Sequence, residues 1–249
     1  MMADAYSRIS GNFGVAISTS GPGATNMVTG VCCAYYDSVP VLYLTGQVAT
    51  FRLKGDRAIR QLGFQETDTV AIFKSITKYA VMVRDSKMIR YELEKAAHIA
   101  KSGRPGPVLV DIPDDLQRED IDVESLRPYF PDVEANNEID MDKKISECIR
   151  LINQSKRPVV ILGWGIRLSK SEKEALQFIE GLGIPVLLSF AMRDFLESSS
   201  PLVVGSFGSH GTRYGNFTVQ SSDLVIVVGS RLDSRKSGSP PKDFAREAK

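Results

Sequence analysis

The chain has 249 residues, enough for one large domain or two ordinary ones. Lys and Arg number 31 and Asp and Glu 30, so no net field draws in nucleic acid or an anionic membrane. Hydrophobic residues make up 43%, enough for proper cores, yet no run of about 18 apolar residues is present to span a bilayer.

Met1 to Tyr6 reads as the later turns of a helix with no cap. The apolar run Phe13, Val15, Ala16 and Ile17 reads as a strand. It leads into Thr19-Ser20-Gly21-Pro22-Gly23-Ala24-Thr25-Asn26, and a helical pattern follows in Met27, Val28, Val31, Cys32 and Tyr35. A Gly-Pro-Gly turn therefore sits between the carboxyl end of a strand and a helix start. Open α/β sheets bind ligands at that place. Glycine lets the backbone turn sharply and come close to a ligand. Cys32, Cys33 and Cys148 are odd in number and are expected as small buried residues in a reducing cytoplasm.

Val41 to Leu44 has the continuous apolar character of a strand buried on both faces, and Tyr79 to Val83 is a further candidate. Met88, Ile89, Leu93, Ala96, Ala97 and Ala100 keep a helical period, with Gly103 as the expected stop. His98 on that helix is expected to be structural or exposed. Val108 to Ile112 returns as a strand. Residues 114–140 are acidic, contain Pro128 and Pro131 and lack a sustained period. They divide the chain into a domain over 1–120, a linker over 121–139 and a domain over 140–249.

The second domain restarts the same pattern. Ile145, Cys148, Ile149 and Ile152 mark an amphipathic helix, and Val159 to Leu162 a strand ending in Gly163-Trp164-Gly165. Ser171-Glu172-Lys173-Glu174 resembles a capping box. Val186 to Leu188 and Leu224 to Val228 are strands, the latter ending in Gly229-Ser230-Arg231. The fold class is α/β: two doubly wound parallel-sheet domains. The uncapped start, and Lys249 soon after a strand, lead us to expect a fragment.

Five strings in this order carry a resemblance: TSGPGATN, Asp37-Ser38-Val39-Pro40, Leu44-Thr45-Gly46-Gln47-Val48, Gly63-Phe64-Gln65-Glu66, and Ser102-Gly103-Arg104-Pro105-Gly106-Pro107-Val108. The chain resembles the acetolactate synthase branch of the thiamine-diphosphate enzymes over nearly its whole length. The resemblance implies a pyrimidine-binding domain followed by a Rossmann-like central domain. It implies thiamine diphosphate as cofactor, with Mg²⁺ and the diphosphate held by a further domain whose Gly-Asp-Gly motif does not occur in this sequence. The family's activating glutamate would lie upstream of Met1.

By the same resemblance Pro22 and Asn26 line the pyrimidine, Gln65 reaches toward the reacting carbon as the catalytic residue, and Phe64 borders the substrate. A neutral amide can bond a developing alkoxide without quenching a carbanion. The alternatives are a helix-start Asn26 bonding local backbone and a solvated Gln65. The family's central domain holds FAD, here through Gly163, Trp164, Gly165, Ser209, His210, Gly229, Arg231, Asp233 and Arg235, with Arg104 reaching in from the first domain. Many relatives keep this domain and bind another nucleotide or nothing. Two isolated histidines make no zinc site.

The implied activity is a decarboxylating carboligase, in which a 2-oxo acid such as pyruvate becomes an enamine that adds to a second 2-oxo acid. The implied setting is branched-chain amino acid biosynthesis in the cytoplasm, by a homodimer or homotetramer with a regulatory subunit as a further partner. The alternatives are a 2-oxo acid decarboxylase or oxidase, a carboligase with a sugar-derived acceptor, and a non-catalytic nucleotide- or partner-binding protein. The isolated chain is expected to be inactive. Ala49, Asp114, Trp164 and a long segment over 51–60 depart from the family pattern. Ala49, Asp114 and that segment put the second substrate in question; Trp164 weakens the FAD reading.

Overall fold

A computed structural model describes residues 1–131 and 140–249. Two compact units lie on either side of the undescribed stretch. The last part of the expected linker, residues 132–139, falls outside the described residues.

The first unit comprises α1 (Met2–Ser10), β1 (Gly14–Ser18), α2 (Pro22–Thr25), α3 (Val28–Asp37), β2 (Val41–Gln47), α4 (Thr69–Phe73), β3 (Tyr79–Met82), α5 (Ile89–Lys101) and β4 (Val108–Pro113). All strands pair in parallel, in the order β1-β2-β4-β3. Alternate side chains of a strand point to opposite faces. Val41, Tyr43 and Leu109 accordingly join Val31 and Ala34 of α3 in one core. Leu42, Val108 and Val110 join Ala96 and Ala100 of α5 in another. Helices on both faces explain the continuous apolar strands.

β1 is an edge strand, and Phe13 lies just outside it. Val15 and Ile17 point to a face that the described residues leave open. α5 ends at Lys101 with an extended Ser102, one residue before the expected Gly103, which takes a left-handed φ of 53°. Residues 121–131 belong to this unit. Tyr129 N–H donates to Glu94, the Tyr129 ring packs edge-on against Tyr91, and His98 lies beside it.

The second unit comprises α6 (Met141–Gln154), β5 (Pro158–Leu162), α7 (Gly165–Leu168), α8 (Glu172–Leu182), β6 (Val186–Leu188), β7 (Val203–Ser206), α9 (Arg213–Gln220), β8 (Leu224–Val228) and α10 (Ser234–Ser237). The parallel order is β7-β6-β5-β8. Val160, Leu162, Val186 and Leu188 pack on Ala175 and Ile179 of α8. Val159, Ile161 and Leu187 pack on Val219 of α9 from the other side.

One strand goes unread in the sequence and two expectations are corrected. β7 escaped the sequence pattern because only four residues form it and Gly205 interrupts them. Ser171 precedes α8, but its hydroxyl bonds the Ser169 carbonyl and the capping box does not form. The cysteines are not buried: Cys33 and Cys148 are exposed and Cys32 is half-buried. Cys33 follows the buried Val31 by two helical positions, which turns it away from the sheet. Cys148 shares an apolar face of α6 with the exposed Ile145 and Ile149.

Candidate functional site

In the first unit the loops leaving β1, β2 and β4 gather at the carboxyl edge of the sheet. After β1 the chain turns through Gly21, whose φ is 57°. Pro22 then opens α2 at a position where a missing N–H costs nothing. A Cβ on Gly21 would stand 2.8 Å from the Gln65 carbonyl oxygen and 2.9 Å from the Gln65 Cβ. The Gly-Pro-Gly turn and the Gln65 loop therefore touch, and the contact requires glycine. Gln65 itself has a φ of 65°, a left-handed conformation uncommon for a residue with a side chain.

Among the described residues, the side-chain amides of Asn26 and Gln65 accept and donate no hydrogen bond. Pro22 and Asn26 are exposed, and Phe64 is 85% exposed. These four residues offer a flat apolar edge, two free amides and an aromatic ring on adjoining loops.

Beneath them lies a buried polar cluster that the sequence pattern did not single out. Thr45 and Asp111 are register partners on β2 and β4, and each is 1% exposed. The Thr45 hydroxyl donates to Asp111 Oδ1 at 2.6 Å. Gln47 Nε2 donates to Asp111 Oδ2 at 2.9 Å and to the Thr67 carbonyl at 2.7 Å. The chain just after Gln65 is thus tied to the sheet. Burial pushes the Asp111 carboxyl up to about 6, against the opposing pull of the two donors, and the Asp68 charge adds to the rise. The available signal was a carboxylate inside an otherwise apolar strand.

Glu66 holds the other side of the loop. Its carboxylate accepts from Lys54 N–H at 2.7 Å and Leu62 N–H at 2.8 Å. Those bonds outweigh desolvation and lower its pKa. Asp115, after β4, accepts from the backbone and hydroxyl of Thr50. Asp114 is ion-paired with Arg118 at 2.9 Å. Arg104 is not part of this edge. It precedes β4 and bonds Ser38, which precedes β2, so it stands at the amino ends of the strands.

In the second unit the strands reverse direction of addition between β5 and β8, which makes that gap a switch point. Gly163-Trp164-Gly165 and Gly229 meet there. Gly163 N–H bonds the Val228 carbonyl and Gly165 N–H the Gly229 carbonyl, both at 2.8 Å. A Cβ on Gly163 would lie 2.4 Å from the Gly229 oxygen, and one on Gly165 2.7 Å from the Gly229 Cα. These glycines pack the two loops against each other. Trp164 Nε1 is buried with no hydrogen-bond partner, and the Arg167 guanidinium lies 5.4 Å from the ring centroid.

The remaining candidates form a neighbouring group. Ser209 N–H donates to the Arg235 carbonyl at 2.8 Å, and His210 Nδ1 lies 3.1 Å from the Ser209 hydroxyl. Asp233 caps α10 and pairs with Lys236 at 3.3 Å and Arg231 at 3.6 Å. His210 also lines a cavity of about 390 Å³ with Leu188, Arg193, Ser206 and Thr212. Arg193 is fixed there by the Ser206 hydroxyl and the His210 carbonyl. Among the described residues no His, Cys, Asp and Glu side chains cluster as a metal site, and no helix is long and apolar enough to cross a membrane.

Known proteins resemble both units. Residues 1–72 match the thiamine pyrophosphate enzyme N-terminal TPP binding domain, and residues 145–249 the central domain of the same enzymes. A probable acetolactate synthase large subunit of Methanococcus aeolicus is 38% identical, over 99% of this chain and 41% of its own length. An acetolactate synthase of Arthrospira platensis is also 38% identical, over 99% and 42%. The chloroplastic acetolactate synthase 2 of Nicotiana tabacum is 38% identical, over 99% and 36%. The chain spans about two fifths of the length of these curated relatives.

Proposed function

Since the chain belongs to the thiamine pyrophosphate enzymes, carrying their N-terminal and central domains, we propose that its protein is a decarboxylating carboligase of the acetolactate synthase type. It takes a 2-oxo acid, releases CO₂ and joins the remaining fragment to a second carbonyl compound. The observation that carries this reading is the contact between Gly21 and Gln65. It sets a free amide beside the turn that bears Pro22 and Asn26.

The residues present fit the flat, polar-rimmed end of thiamine diphosphate. The cofactor supplies a stabilised carbanion. In this reading Pro22 packs on the pyrimidine and Asn26 satisfies its polar rim. Gln65 donates to the oxygen on which charge develops, and Phe64 shields the substrate from water. By the family resemblance, Mg²⁺ and the diphosphate are assigned to a further domain of the full-length protein. FAD is proposed for the second unit. The cavity lined by Arg193 and His210 supports it. Asp233 holds this edge in place, its carboxylate capping α10 and pairing with Lys236 and Arg231.

We read the assembly as a homo-oligomer, and the relatives' printed name, large subunit, supports a smaller regulatory partner. Three free thiols agree with a cytoplasmic setting. The deciding experiment gives the full-length protein thiamine diphosphate, Mg²⁺ and a panel of 2-oxo acids. Cofactor-dependent CO₂ release with formation of a new C–C bond is expected. Aldehyde or peroxide as the sole product replaces carboligation with simple decarboxylation or oxidation. Absence of CO₂ release from every acid overturns the reading.

A further inference from the structure

The segment over residues 51–62 leaves β2 and returns to the Gln65 loop, and no step above uses it. It carries Arg52, Lys54, Arg57 and Arg60 against one carboxylate, Asp56. Elsewhere in this unit some arginines are neutralised by carboxylates. Arg8 pairs with Asp4 and Asp37, Arg90 with Glu94, and Arg118 with Asp114. Among the described residues, Arg52, Arg57 and Arg60 form no ion pair, and all three are exposed. Arg57 donates only to the Leu53 carbonyl, and Arg52 lies over its neighbour Phe51. Lys54 is half-buried close to Glu66.

The segment is also held in place. Glu66 binds the backbone at Lys54, Leu62 and Gly63, and Gln61 bonds the Glu66 carbonyl. The cations therefore sit on a closed loop whose foot is the Gln65 turn. Phe51 and Phe64, at the two feet, are 70% and 85% exposed.

Unpaired guanidinium groups on one fixed loop match phosphate oxygens, which they bind with paired N–H donors. A single carboxylate on an acceptor needs one such group; this loop holds three. We propose that the loop over 51–62 binds a phosphate or diphosphate group on the acceptor, so that the second carbonyl compound is a phosphorylated one. This rests on the carboligase reading.

The test is calorimetric titration of the full-length protein, saturated with thiamine diphosphate, with inorganic pyrophosphate and with uridine diphosphate. Both are expected to bind, more weakly as salt rises. The double variant Arg57→Glu and Arg60→Glu should weaken binding at least tenfold, while Arg57→Lys and Arg60→Lys stays within about threefold. Tighter binding of the nucleotide, lost in Phe51→Ala, supports a nucleotide-linked acceptor; equal affinities support a simple phosphate ester. No binding, or binding that charge reversal does not move, overturns the proposal. CO₂ release by the wild-type protein is measured separately. Its absence overturns the carboligase reading and leaves the binding result standing.

Discussion

The carboxyl edges of the two sheets are built in different ways. In the second unit, backbone meets backbone: Gly163 and Gly165 pack on Gly229 with no space for a Cβ. In the first unit, besides the close approach of Gly21 to Gln65, the loops are tied by side chains, through Gln47, Asp111, Glu66 and Asp115. A glycine crossing has no way to yield, whereas a hydrogen-bonded loop can loosen by degrees. The largest effect therefore belongs to Gly163→Ala, which puts a methyl 2.4 Å from a carbonyl oxygen. Overpacking against backbone should cost about 3 kcal/mol or more. Denaturant unfolding measures it, and a loss under about 1 kcal/mol would show that the crossing can relax.

Asp111 comes next, because its removal leaves buried donors unpaired. Asp111→Ala strips the acceptor from Thr45 and Gln47 and should cost about 2 kcal/mol. Its pH signature has a definite sign. The folded carboxyl titrates at about 6, above the ordinary value of 3.8. The folded state therefore holds its proton more tightly than the unfolded chain does. Stability from this group is greatest below the unfolded value and falls as pH rises through about 6. Wild type minus Asp111→Ala stability, followed from pH 4 to 7, should decline by about 2 to 3 kcal/mol. A flat difference would mean that the carboxyl is hydrated.

Glu66 tests the same edge with the opposite sign. Its pKa is lowered, so its contribution is present above the ordinary glutamate range and is lost as pH falls below it. Glu66→Gln keeps one acceptor oxygen for three backbone donors and should cost about 1 kcal/mol. Faster amide exchange at Lys54 and Leu62 would report the loosened loop directly. Unchanged exchange there would show that Asp115 and Thr50 hold the segment without it.

Much of this was legible in the sequence, for stated reasons. Val41 to Leu44 and Val108 to Ile112 have continuous apolar character because helices cover both faces of the sheet. The Gly-Pro-Gly turn announced a strand-to-helix corner. The contact of Gly21 with Gln65 was not visible, since 44 positions separate them and only the parallel pairing of β1 with β2 brings their loops together. Glu66 was quoted as part of a string, but its role depends on which N–H groups the loop turns toward it. β7 stayed hidden because four residues around a glycine carry too little periodicity. Arg104 shows what the first unit alone leaves open. Its place in a motif suggests contact with a ligand of the second unit; the fold sets it at the amino ends of the first sheet beside Ser38, and neither unit alone tests that contact.

The smallest stability effect, and the sharpest functional one, should come from Gln65. Its left-handed backbone costs a residue with a side chain about 1 kcal/mol. Glycine adopts that conformation freely but gives back a similar amount through the entropy of the unfolded chain. Gln65→Gly should therefore leave stability within about 0.5 kcal/mol of wild type. Its amide makes no internal hydrogen bond that would be lost. Removal of one preorganised donor to a developing oxyanion should still lower kcat about 100-fold in the full-length protein. A variant that unfolds early would mean that the side chain braces the turn. A stable variant with unchanged kcat would remove Gln65 from the chemistry and leave Asn26 as the remaining free amide to test.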